Sequence, residues 1–93
     1  MRDIPVFQRA LGGAVKLGRQ KLELTQEQLA NDTGLHQRWI SNVETGKRNP
    51  SYASLRRLAA GLGCNASELL AVAENIERHV KVGTPPTGAS SPH

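Results

Sequence analysis

The stretch of sequence that decides the fold spans residues 25–44 and reads TQEQLANDTGLHQRWISNVE. Thr25 and Gln28 have the spacing of a capping box, in which two side chains satisfy backbone N–H groups at the start of a helix. Gly34 supplies the left-handed backbone conformation that ends a helix without steric cost. A second helix is expected to begin two or three residues later. The stretch therefore predicts two short helices joined by a tight turn.

The second of these helices has one apolar and one polar face. At about 100° per residue, Ile40 and Val43 point the same way and must face the core. The residues expected on the opposite face or in the exposed first turn are Gln37, Arg38, Ser41 and Asn42. Arginine can fork onto guanine O6 and N7, and asparagine or glutamine can pair with adenine N6 and N7, so this set suits base edges in a DNA major groove. The alternative is an ordinary solvated helix face, and spacing alone does not separate the two interpretations.

Three longer segments carry a family resemblance: LTQEQLA at 24–30, GLHQRWISNVETGKRNPS at 34–51 and LRRLAAGLGCNASELL at 55–70. Through them, residues from about 11 to 70 resemble the Cro/phage-repressor type of helix-turn-helix regulators, the Xre-like family. The resemblance implies an all-α fold, a compact five-helix, lambda-repressor-like DNA-binding domain. It also implies that Gln37, Arg38 and Asn42 read bases in double-stranded DNA.

The same resemblance implies supporting roles around the second motif helix. Gln26, at the start of the first motif helix, would touch a phosphate and brace the second helix. Arg19 would pair with Glu44, the residue that closes the second helix, and this pair would be structural. Glu23 stands where the family often has glycine, so the geometry of that turn does not follow from the resemblance.

The connection after the second helix offers further candidate phosphate contacts: Lys47, Arg48 and Asn49. Two adjacent cations on a loop beside a reading helix suit the DNA backbone, and the family uses this loop in that way. The alternative is a solubilising turn.

Trp39 lies about 70° from the centre of the buried face of the second motif helix. We expect its ring to pack at the edge of the core, with donation from the indole N–H to a phosphate as a compatible functional role.

The charge distribution favours a polyanionic partner. The 93-residue chain has a net charge of +4 and a sequence pI near 9.8. Residues 1–24 carry five positive and two negative charges, and residues 47–65 carry four positive and none negative, so cationic blocks flank the motif. With one Phe, one Trp and one Tyr, the core of such a small domain must be aliphatic.

Cys64 is the single cysteine, which leaves no intramolecular disulfide and no cysteine metal site. We expect no metal and no other cofactor. The N-terminus lacks an apolar signal segment, and no run of apolar residues is long enough to span a bilayer. The expected location is therefore cytoplasmic and nucleoid-associated, without membrane contact.

The rest of the chain divides around the motif. Residues 1–5 are expected to form an N-terminal arm, residues 6–82 the DNA-binding domain and residues 83–93, GTPPTGASSPH, a disordered tail. The first helix is predicted over residues 6–21 by an apolar stripe made of Phe7, Leu11, Ala14, Val15 and Leu22. A fourth helix should follow a Ser51 cap, and a fifth, over about 66–82, should follow an Asn65 cap.

An apolar stripe on the fifth helix is expected to extend beyond the core. Its members are Leu69, Val72, Ala73, Ile76 and Val80. A core of four helices can cover Leu69, but Val72, Ile76 and Val80 would stand exposed on a monomer. We therefore expect a homodimer that forms through this helix.

These features favour a sequence-specific DNA-binding transcriptional regulator that acts as a homodimer on a near-palindromic operator. The alternative, from a different class, is a protein-interaction module, such as an antitoxin that neutralises a toxin partner through the fifth helix. An enzyme is disfavoured, since the sequence offers no nucleophile with a base, no carboxylate pair in an apolar pocket and no phosphate-cradling loop.

Overall fold

The computed structural model describes residues 3–82, and this part of the chain is all-α, as predicted. The helices are α1 (Asp3–Lys21), α2 (Gln26–Thr33), α3 (Gln37–Glu44), α4 (Tyr52–Gly61) and α5 (Ala66–Val82). α2 and α3 are the two helices of the motif. The predicted tail lies outside the described residues, as do the first two residues of the predicted arm. Within residues 3–82, no helix combines the length and apolarity that crossing a bilayer needs.

Three helices begin at the caps that the sequence predicted. The Thr25 hydroxyl accepts the Gln28 N–H at 3.0 Å, and Gln28 Oε1 accepts the Thr25 N–H at 2.8 Å. Asn65 and Glu68 form the same reciprocal pair before α5, at 2.9 and 3.0 Å. The Ser51 hydroxyl caps α4. Each cap satisfies donors that have no partner within their helix, so these local signals fix where the helices start.

Helix α1 begins earlier and ends sooner than its apolar stripe indicates. It starts at Asp3 instead of residue 6, with Pro5 in the first turn, where a missing N–H costs no helical hydrogen bond. The sequence places Leu22 on the buried stripe, and this prediction is wrong. Leu22 is 49% exposed, because α1 ends at Lys21 and Leu22 no longer continues the helical stripe.

The turn between α1 and α2 has left-handed geometry at a residue that is not glycine. Glu23 has a φ of 58°, in the region where glycine is the usual residue. The turn lets the Leu24 N–H donate to Arg19 O at 3.0 Å, which closes the end of α1. For an L-residue this conformation costs roughly 1–2 kcal/mol. Glu23, at a position where the family often has glycine, therefore adopts a backbone conformation that glycine favours.

The core is aliphatic, as the composition predicted. α5 lies along α1, while α3 packs against both α1 and α2 and α4 packs against α2 and α5. The largest fully buried side chains are Val15, Leu29, Ile40, Val43 and Leu58. These residues come from the first four helices, so the motif is part of the core and not an appendage to it.

Candidate nucleic-acid interface

Helix α3 separates a buried apolar face from a polar surface. Ile40 and Val43 are fully buried, as predicted. The four polar residues predicted to read bases all reach solvent: Gln37 and Arg38 are exposed, and Ser41 and Asn42 are partly exposed. The helix therefore presents donors and acceptors for a ligand on one side while its other side is fixed in the core.

Glu44, the last residue of α3, is the one buried charged residue among those whose side chains are described, residues 6–80. Arg19 Nε donates to Glu44 Oε2 at 2.7 Å, and Arg19 Nη2 donates to Oε1 at 3.0 Å. This is the pair that the resemblance implies. The hydrogen bond with Glu44 raises the pKa of the Arg19 guanidinium, although burial acts in the opposite direction. The bidentate geometry is the strong form of an arginine–carboxylate pair.

Gln26 adds a third hydrogen bond to the same carboxylate. Its Nε2 atom donates to Glu44 Oε1 at 3.0 Å, so the bracing role implied by the resemblance is present. Arg19 Nη1 also donates to Leu24 O at 2.8 Å, beside the start of α2. Glu44 therefore ties α1 and α2 to the carboxyl end of α3.

Helix α1 also approaches α3 through its backbone at Gly12. An ideal Cβ on Gly12 would lie 2.6 Å from Glu44 O and would overlap Val43 O, so a larger residue does not fit unless the helices shift. Gly18, nearly two turns further along α1, is less confined, since a Cβ there would make ordinary contact with Leu62 at 3.4 Å.

The loop after α3 is held against the helix by its own backbone. The Lys47 and Arg48 N–H groups both donate to Asn42 O, at 2.8 and 3.2 Å, after a left-handed turn at Gly46. The side chains of Lys47, Arg48 and Asn49 are exposed. A fixed backbone thus presents two cations next to the polar side of α3.

Two further residues of the motif, Trp39 and His36, lie on and immediately before α3. Trp39 is partly buried and packs against the core, in agreement with its boundary position. His36 precedes α3 and makes no side-chain capping hydrogen bond. The backbone N–H groups of the first turn of α3 therefore have no side-chain cap at the end that carries Gln37.

The apolar stripe on α5 is less exposed than the sequence predicted. Leu69 and Ala73 are 4% and 0% exposed within a single copy of the chain, so assigning them to a dimer surface is wrong. α5 lies along α1, which covers them. Val72 and Val80 remain 41% and 61% exposed, while Ile76 is partly buried against the core.

An exposed leucine on α1 extends this surface, and the sequence prediction misses it. Leu17 is 43% exposed and lines, together with Val72, a groove of about 250 Å³ between α1 and α5. The signal in the sequence is a leucine that lies off the apolar stripe of an amphipathic helix. A single exposed leucine is common on protein surfaces, and Leu17 is notable only because it lies beside the exposed Val72.

Comparison with known proteins places the chain in a family. The profile of the HTH_3 helix-turn-helix family matches residues 15–69. The control protein C.MunI from a Mycoplasma species is 43% identical over 54 residues, which cover 58% of this chain and 73% of that protein. The competence pilus inhibition repressor of Acinetobacter baylyi is 36% identical over 67 residues, which cover 72% of this chain and 61% of that protein.

Solved structures show the same fold. The restriction-modification controller protein C.AhdI from Aeromonas hydrophila superposes with a TM-score of 0.65 at 32% identity, over 67% of this chain and 94% of that one. The clp gene regulator ClgR from Corynebacterium glutamicum superposes with a TM-score of 0.79 at 22% identity, over 83% of this chain and 82% of that one, a likeness of fold alone. The chain therefore belongs to the HTH_3 family of helix-turn-helix transcriptional regulators, the Xre-like group that its motif resembles, and it is a DNA-binding protein and not an enzyme.

Proposed function

We propose that this chain is a sequence-specific regulator that acts as a homodimer on a near-palindromic operator. The observation that carries the proposal is the arrangement of α3. Its inner face is fixed by Ile40, Val43 and Glu44, while its polar residues are presented to solvent. A helix held in this way can enter a major groove without first becoming ordered. Relatives named as control proteins and as a repressor support a role in transcriptional control.

The proposed roles follow from side-chain chemistry and position. Base reading is assigned to Gln37, Arg38, Ser41 and Asn42. Phosphate contacts are assigned to Gln26, Trp39, Lys47, Arg48 and Asn49. Gln26 can serve both its roles, because its amide nitrogen carries two N–H donors and Glu44 accepts only one of them.

The proposed dimer forms through the outer side of the α1–α5 pair. Leu17 and Val72 line one groove between these helices and Val80 is exposed further along α5, and a second copy would cover all three. A two-fold axis at this surface makes the contact self-complementary. It would also present two copies of α3 to one side of the DNA at a separation of about 34 Å, one helical turn, as a palindromic site requires.

Arg38→Ala is expected to relax base preference at one position in each half-site. Loss of the two hydrogen bonds from the guanidinium group to guanine O6 and N7 should cost about 1–3 kcal/mol of binding free energy at the preferred base pair and much less at the others. Because Arg38 is exposed, folding stability should change little. The measurement is the affinity of the variant for a site selected from random DNA and for every single-base substitution of that site.

Lys47→Ala is the control for this experiment, and it should weaken all sequences about equally. A loss for Arg38→Ala that is the same at every sequence would make Arg38 a phosphate contact. If substitutions of Gln37, Arg38 and Asn42 all leave the preference unchanged, the protein-interaction module becomes the better interpretation.

Val80→Glu is expected to convert the dimer to monomers. The side chain is 61% exposed, so the charge should leave the fold intact while it opposes burial in a dimer contact. Sedimentation velocity of the unmodified protein and the variant at equal concentration measures the effect. Leu22→Glu, at another exposed apolar residue, should leave the dimer unchanged. A monomer for the unmodified protein under the same conditions would contradict the proposed assembly.

A further inference from the structure

Helix α1 is longer than the part of it that the family match includes. The match begins at residue 15, whereas α1 begins at Asp3. Residues 3–14 therefore add about three helical turns before the matched region. We refer to them as the N-terminal extension.

The N-terminal extension packs against the turn at Gly46, which leads into the loop that carries Lys47 and Arg48. Gln8 Nε2 donates to Gly46 O at 3.1 Å. An ideal Cβ on Gly46 would lie 2.6 Å from Arg9 Cγ and 3.2 Å from Arg9 Cα. The backbone and the side-chain stem of Arg9 thus cover Gly46, the residue immediately before Lys47.

Arg9 brings a third cation to this place. Its side chain is exposed, and it has no carboxylate within ion-pair distance among residues 6–80. The nearby Glu44 is buried and already accepts hydrogen bonds from Arg19 and Gln26. Arg9, Lys47 and Arg48 are therefore three exposed cations on and beside the turn at Gly46, and no described carboxylate pairs with them. Positive charges gathered in one region of a surface attract an anionic ligand.

We propose that Arg9 binds a DNA backbone phosphate beside those bound by Lys47 and Arg48, so that the N-terminal extension is part of the DNA interface. This inference rests on the proposed DNA-binding function. A guanidinium group matches phosphate geometry and can donate two parallel hydrogen bonds. Gln8 is a positioning residue, because its hydrogen bond to Gly46 O fixes the loop relative to α1.

The salt dependence of DNA affinity tests this proposal. Each phosphate contact contributes about 0.9 to the slope of log affinity against log salt concentration. In a homodimer, Arg9→Ala should therefore lower the slope by about 1.8, so that the affinity loss between 50 and 200 mM salt becomes about tenfold smaller than for the unmodified protein. Preference among single-base variants of the site should not change, since phosphate contacts carry no sequence information.

Two variants separate a contact from a structural or a long-range effect. Arg9→Gln keeps the aliphatic stem that covers Gly46 and should give the same change of slope with an unchanged melting temperature. Lys16→Ala removes an exposed cation from the same side of α1, about 10 Å further along the helix, and should leave the slope unchanged.

Each other outcome has a definite meaning. If Lys47→Ala lowers the slope and both Arg9 variants do not, the Arg9 contact is disproved while DNA binding stands. An equal effect of Lys16→Ala would also overturn the contact, because it would reflect the general field of the protein. If the unmodified protein shows no salt-dependent binding to DNA, the proposed function itself fails.

Discussion

Glu44→Ala is expected to lower the free energy of unfolding by about 3–5 kcal/mol, because it leaves the Arg19 guanidinium without its buried partner. The Glu44 side chain is 2% exposed and that of Arg19 is 12% exposed, so solvent compensates little of the loss. For a domain of this size the melting temperature should fall by more than 10 °C. Circular dichroism during heating, together with a urea titration, measures both quantities.

The control is Glu27→Ala, which removes an exposed carboxylate from α2 and should change stability by no more than about 0.5 kcal/mol. A double-mutant cycle with Arg19→Ala should show strong coupling, since each single change already breaks the same pair. An unaltered melting temperature for Glu44→Ala would mean that the pair does not stabilise the fold.

The affinity for a selected operator is expected to fall by about three to five decades between 50 and 200 mM salt. This is the loss for a dimer that makes about 6–10 phosphate contacts, because each contact releases condensed counterions. The physical basis is three exposed cations in each copy, which make six in a dimer: Lys47 and Arg48, on a loop whose backbone is anchored to Asn42 O, and Arg9 beside them. Fluorescence anisotropy over a salt series gives the slope.

Sedimentation at the same salt concentrations is the necessary companion measurement, since a dimer that dissociates with salt would imitate the effect. The proposed dimer contact is apolar and should persist over this range. An affinity that does not vary with salt would remove the phosphate assignments of Lys47 and Arg48.

The motif itself was predictable because its signals are local. The capping pair Thr25 and Gln28 and the left-handed Gly34 act within a few residues of each other, and the structure shows both. Helical periodicity was also sufficient to separate Ile40 and Val43 from the polar side of α3. The start of α1 was less predictable, because Pro5 is compatible with either an arm or a first helical turn.

The positions of residues that meet across the fold could not be predicted from local patterns. Ala73 is buried, and Leu17 lies beside Val72, because α5 lies along α1, and the amphipathic pattern of either helix does not specify its neighbour. The contact between Gly12 and the end of α3 likewise depends on how the helices cross. In the candidate interface, the hydrogen bond from Gln8 to Gly46 joins residues 38 positions apart, for which spacing offers no signal.

The separation of buried anchoring residues from exposed polar residues on α3 has a consequence for how DNA specificity can change during evolution. Ile40, Val43 and Glu44 hold the helix in place, whereas the side chains of Gln37 and Arg38 are exposed to solvent. Surface substitutions of this kind usually change stability by no more than about 0.5 kcal/mol. With base reading assigned to these side chains, as proposed, mutations that change the preferred operator should leave the fold almost equally stable, so that related proteins can keep the same buried anchor and differ in the side chains that α3 exposes.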